Sequence, residues 1–269
     1  MIPSWHPHPD VWAFVLFLGV GYWYAIRRIG PYLKIEGPLV TRRQAMVFTA
    51  GLLSLWAVSD WPFHDIAEQQ LFLFHMIEHM VLALVAAPLL IAGTPSWLLR
   101  RILTHPRVLP TLKPLTRPLA AFFIFNGVMV GIHWPQIVHL MVTSGIYHFL
   151  VHALLIAASA VMWLPVLSPV PEVKQLTPPL RMLYLFSHSL LPTIPASFLT
   201  FGREPLYRFY AEAPRLWGID AITDQTMAGL VMKLGGGAIL WGVIVVVWFR
   251  WYAYEQQWEA LERELRKTS

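Results

Sequence analysis

The residues that could do the most chemistry in this chain are histidines in two matching pairs. His75 and His79 stand four apart, and so do His148 and His152. On a helix, neighbours at i and i+4 project from one face, so each pair offers two imidazoles to the same side. Imidazole suits zinc, copper, iron and nickel. The chain contains no cysteine, which excludes thiolate metal sites, disulfides and a cysteine nucleophile. Three chemistries remain. Two pairs on neighbouring helices could hold copper or zinc. His75-Met76-Ile77-Glu78-His79 also spells H-x-x-E-H, in which two histidines hold zinc and the glutamate acts as general base of a hydrolase. The histidines could instead be axial ligands to a haem, although a bare HxxxH puts both on one helix.

The elements that must position these residues are membrane helices. Hydrophobic residues make up 57% of the 269 and charged residues 13%, about half the usual ~25% of a globular domain. With a mean hydropathy of +0.54, this composition excludes a soluble enzyme, a nucleic-acid binder and a disordered scaffold. Apolar runs near 11–27, 42–59, 71–93, 118–134, 145–167, 180–201 and 225–250 approach the ~20 residues that cross a bilayer. Pro-containing breaks such as Trp61-Pro62, Thr94-Pro95 and Trp134-Pro135 separate them. The expected fold is therefore all-α, a seven-helix transmembrane bundle forming one integral membrane domain over 1–269. His6, His8 and Asp10 precede the first run in place of a basic region, so it is read as a retained span and not a cleaved leader. Sixteen Lys and Arg fall on one side of this topology, including Arg27, Arg28, Arg42, Arg43, Arg100 and Arg101, and only Arg203, Arg208 and Arg215 on the other. That asymmetry predicts an outside N-terminus and a cytoplasmic C-terminus.

On that topology nine of the eleven histidines lie towards the outer side. Both HxxxH pairs begin spans that enter from outside. At 1.5 Å per residue, His75 and His148 then sit roughly 6 Å below the surface and His79 and His152 roughly 12 Å, two rungs at matching depths. His133 ends the fourth span near that level, and Asp224 opens the seventh with Met227 a turn further on. Ionisable groups within a bilayer face the bundle interior and mark sites by default. Thioethers towards the outer half, Met80 and Met227 among them, favour copper over zinc, though methionine is also ordinary core filler. His188 and His139 read as structural, and His6 and His8 as a solvated terminus. His64 with Asp60 and Asp65 stays open between structure and site. Lys233, inside the seventh span, needs an acidic partner, and Glu78 is expected to supply it.

These residues also carry a resemblance. The stretch from His75 through Ala86-Ala87-Pro88 to Thr94-Pro95 is similar to the signature of the polytopic CtaG family of cytochrome c oxidase assembly factors. His133-Trp134-Pro135, the His148…His152 pair followed by Trp163-Leu164-Pro165, and Asp224-Gln225…Ala228-Gly229 leading to Met232-Lys233 extend it from about 60 to 235, in the family's order. The resemblance implies a multi-pass protein of the bacterial plasma membrane that serves assembly of a haem–copper oxidase, is not itself an enzyme, handles copper, and has an oxidase subunit as partner. The expected metal ligands are His75, His79, His148 and His152, with His133, Asp224, Met80 and Met227 as further candidates.

Overall fold

The computed structural model describes residues 3–268, and among them there is no strand. Helix α1, Pro9–Tyr24, starts on a proline that needs no partner for its missing N–H, and runs on through a wider π turn at Ala25–Ile29. α2, Arg42–Ser59, is opened by a capping box: the Thr41 hydroxyl accepts from the Gln44 backbone N–H, and the Gln44 side chain accepts from the Thr41 N–H. A short connecting helix α3, Phe63–Gln69, precedes α4, Phe72–Val81. α4 passes through a π turn at Leu82–Ala86 into α5, Ala87–Gly93. Pro88 cannot donate to the Leu84 carbonyl one turn back, which is where the helix widens. The indole of Trp163 donates to the Ala83 carbonyl within this turn (2.9 Å).

α6, Ser96–Leu103, and α7, Leu109–Leu115, form the connection to α8, Pro118–Ile132. α9, Pro135–Thr143, links α8 to α10, Gly145–Leu167. α11, Pro178–Leu190, and α12, Thr193–Phe201, follow as one interrupted rod, then the short α13, Arg208–Glu212. α14, Ala221–Leu230, continues through a π turn at Val231–Gly235 into α15, Gly236–Thr268.

Every segment expected to span is largely helical, but among the described residues only five stretches are long and apolar enough to cross a membrane on those grounds: Pro9–Tyr32, Phe72–Gly93, Gly145–Leu167, Pro178–Phe201 and Ala221–Lys267. The two that fall short have identifiable reasons. α2 spends its first turn on Arg42, Arg43 and Gln44. α8 has 15 residues, about 22 Å of rise against a ~30 Å hydrocarbon core. It reaches the threshold only together with α7, across a bend of 83°.

The main core lies between α4, α8, α10, α11 and α14, around Phe72, Met76, Phe125, Leu155, Met162 and Trp163. Glycine sets the closest approach, between α2 and α5. A Cβ on Gly93 would fall 2.3 Å from the backbone nitrogen of Phe48, so no other residue fits there without parting the helices.

Candidate metal centre

The N-terminal turns of α4 and α10 lie side by side at one end of the bundle, with α3 laid across them. This arrangement brings six histidines and two glutamates into one continuous group. Within α4 the rings of His75 and His79 are 4.2 Å apart, and within α10 those of His148 and His152 are also 4.2 Å apart. Across the helices, His79 Nε2 lies 3.1 Å from His152 Nε2, and the His75 and His148 rings are 6.5 Å apart. The two rungs expected from the spacing are therefore present, the deeper one closed and the shallower one open. His133, at the end of α8, places its ring 6.1 Å from His79.

α3 contributes two residues that the spacing argument did not place. His64 pairs with Glu78 (Nδ1 to Oε1, 2.9 Å) and stands 3.6 Å from Glu68, and Glu68 in turn lies 2.6 Å from His148 Nδ1. One ligand atom each from His64, Glu68 and His148 lies within 4.8 Å of the others, a separation that a single metal ion can bridge. Glu68 carried no expectation at all. The available signal was its position four residues after His64, the same i, i+4 relation that exposed the two HxxxH pairs.

Charge in this group is organised around α3. Burial alone would lower the His64 pKa, but the Glu78 charge and hydrogen bond, then the Glu68 and Asp65 charges, outweigh it and raise it to about 9. Burial works in the opposite direction on Glu68, and there the His148 hydrogen bond and charge, followed by His64 and His75, bring it down to about 2. Tyr210 closes one side, donating its hydroxyl to the Ala67 carbonyl (2.8 Å). Tyr207 likewise donates to the His133 carbonyl (2.8 Å).

The donor set suits a first-row transition metal. Several buried polar atoms have no hydrogen-bond partner: Nδ1 of His75 and His79, Nε2 of His133 and His148, and Oε2 of Glu78. An unpartnered buried polar atom costs about 1–3 kcal/mol, and several in one contact network are what a metal ion would satisfy. His133 has the arrangement usual for a metal-bound imidazole. Its Nδ1 contacts the Met129 carbonyl at 2.5 Å, which fixes that nitrogen as the N–H and leaves the Nε2 lone pair free. The donors are imidazole nitrogen and carboxylate oxygen. The cavities bordering the group hold about 110 Å³ beside His64, His148 and His152, and about 20 Å³ beside His79, well below the ~300–1,000 Å³ of small-molecule pockets.

Other expected members lie elsewhere. Asp224 gives its carboxylate to the start of α4, accepting from the backbone N–H of Phe72 (2.8 Å) and Leu73 (2.9 Å). Leu71 has no side-chain oxygen to cap α4, so Asp224 caps it from α14. Met80 packs towards Gly236 of α15, where a Cβ would fall 2.8 Å from its methyl. Met227 is exposed on α14. Of the two thioethers, Met80 also lines the small cavity beside His79, whereas Met227 is turned to the surface. The Glu78–Lys233 pair is also not formed: the Lys233 ammonium hydrogen-bonds the Thr193 hydroxyl and the Ser189 carbonyl across the α11–α12 break, while Glu78 turns to His64. The broken rod frees a carbonyl for Lys233, which sequence spacing could not reveal. His188 sits apart, bonded to Asn126 (3.0 Å) and packed on Tyr184, and His139 is exposed on α9.

A family model described as cytochrome c oxidase caa3 assembly factor (Caa3_CtaG) matches residues 15–254, the stretch that holds every member of the histidine–glutamate group. No curated protein and no solved structure matches the chain.

Proposed function

Since the chain belongs to the family of caa3-type cytochrome c oxidase assembly factors, we propose that it serves oxidase assembly by holding copper as cargo in the group formed by His64, Glu68, His75, Glu78, His79, His133, His148 and His152. The observation that carries this reading is the set of buried, unpartnered imidazole nitrogens gathered from three helices next to the His64–Glu68–His148 triad. His64, Glu68 and His148 form the more accessible station, and His79, His152, His75 and His133 the deeper one. With imidazole and carboxylate donors and no thiolate, Cu(II) is favoured over zinc by intrinsic affinity. The His64–Glu68–His148 station would offer an ion only three donors, which suits a cargo that must leave again.

In this reading the protein is not an enzyme. Glu78, the would-be base of H-x-x-E-H, is fully buried and paired to His64, and neither bordering cavity has room for a substrate or a haem. The protein crosses the bacterial plasma membrane seven times with the histidine end facing outward, and an oxidase subunit takes the ion while docked against the bundle.

Titration of the detergent-purified full chain with Cu(II) tests this. Saturable binding is expected, weakened about 10–100-fold or more in His148→Ala, with oxidase assembly lost in cells carrying that variant. Stoichiometric zinc together with a hydrolysis abolished by Glu78→Gln would overturn it, as would metal binding unaffected by His148→Ala.

A further inference from the structure

The N-terminal segment, expected to be a solvated terminus, is tied down against α3. His8 Nε2 lies 2.9 Å from Asp65 Oδ2, and His6 Nδ1 lies 3.4 Å from Asp65 Oδ1. His8 precedes α1 and its carbonyl accepts from the Trp12 N–H (3.0 Å), while the Trp12 indole holds Asp60 (2.9 Å), so the segment is anchored at its helix end. Asp65 and His64 are consecutive on α3, and successive helical residues point about 100° apart. α3 accordingly offers Asp65 to the N-terminal segment and His64 to the buried group.

The contacts form an unbroken series. The His8 ring meets His64 edge-on at 4.9 Å, His64 meets His148 at 5.0 Å, and His152 meets His79 at 5.0 Å. Exposure falls in the same order, from 56% of the His6 side chain to 15% for His8 and 7% for His64. We propose that metal ions enter the buried group along this ladder, captured at His6, His8 and Asp65 and handed to His64. The inference rests on the metal-holding reading above and adds the route. Zn–N and Zn–O bonds run to about 2.0–2.2 Å, so an ion held by one group reaches the next without first returning to water. The buried Asp65 carboxylate supplies the attraction for a cation at the mouth of the route.

An entry route, unlike a ligand, speeds loading and release alike and leaves the equilibrium untouched. Stopped-flow loading of the full-length purified protein with Cu(II), and its extraction by excess chelator, separates the two roles. In His6→Ala/His8→Ala both rates are expected to fall by the same factor, at least about tenfold, with affinity and stoichiometry as in wild type. Asp65→Asn, which keeps the side-chain shape but removes the charge at the mouth of the route, is expected to slow loading. Unchanged rates in both variants would overturn the proposal and point to the cavity between α1 and α10, lined by Phe14, Phe149 and Ile156. Weakened affinity with an unchanged loading rate would also overturn it, by making His6 and His8 ligands. A wild-type protein that binds no Cu(II) at all would instead refute the function on which this inference stands.

Discussion

His64 is where proton and metal compete. Its ring is held protonated up to about pH 9 by Glu78, Glu68 and Asp65 against the opposing effect of burial, whereas a metal ion needs its neutral form. Each ion bound therefore displaces a proton below that pH, and Cu(II) affinity is expected to fall tenfold per unit as pH drops from 9 towards 6.5, measurable by titration at fixed ionic strength. Glu68, held down to about 2, stays ionised throughout and adds no slope of its own. The metal-free protein follows the opposite sign. A pKa raised in the folded state stabilises fully below the unfolded value of 6.5, and that contribution is lost as pH rises through about 9, so the metal-free chain loses stability across that window. Lys233 gives a second test. Its partners are Ser189 and Thr193, so Lys233→Met is expected to leave metal affinity unchanged while loosening the α11–α12 break, seen as a lower unfolding midpoint in detergent. The four histidines of the HxxxH pairs were legible because helical spacing alone puts them on one face. His64 could only be left open and Glu68 carried no signal of its own, because they ride on a seven-residue helix inside a connection whose position depends on tertiary packing.

α4 shows why an acid near the site need not belong to it. The Phe72 and Leu73 N–H groups at the start of α4 need an acceptor, and the cap residue Leu71 has no side-chain oxygen to supply one. Asp224 of α14 fills that need and thereby fixes where α4 starts, which sets the depth of His75 and His79. Asp224→Ala leaves the Phe72 and Leu73 N–H groups without partners, and a loss of at least about 1–3 kcal/mol is expected in thermal or denaturant unfolding of the solubilised protein. Asp224→Asn keeps one acceptor oxygen and is expected to lose less stability, with metal affinity as in wild type. A collapse of affinity in the Asn variant at preserved stability would make Asp224 a ligand after all. The segment from Arg42 to Ser59 was readable as a helix in full, since an apolar run after Thr41-x-x-Gln44 carries its own start signal. The breaks within α4–α5 and α14–α15 were hidden for a different reason. A π turn keeps the chain helical and changes only which carbonyl is left over, and Trp163 reveals it by donating to Ala83.

The contacts at the histidine end constrain how the whole chain traverses the membrane. α1 begins there, because His8 touches Asp65, and α4 begins there with His75. α2 must therefore carry the chain back between them. α10 also begins there, since His148 touches Glu68, and α8 must return the chain after α5 has left. Asp224 places the start of α14 at the same end by capping α4, so the α11–α12 rod is a return as well. The proposed seven passes accord with this continuity, although α2 and α8 are not apolar or long enough to be recognised on composition. For α8, about 22 Å of helix under a ~30 Å core means local thinning of the bilayer or burial of its ends among α7, α9 and α10. Seven passes put the termini on opposite sides, whereas six put them on the same side. Because the chain has no cysteine, single introduced ones report cleanly. Ser4→Cys and Glu212→Cys are expected to react with a membrane-impermeant maleimide in intact cells, and Arg263→Cys only after the membrane is opened. Labelling of Ser4→Cys and Arg263→Cys from the same side would mean that α2 or α8 does not cross, and would overturn the seven-pass reading.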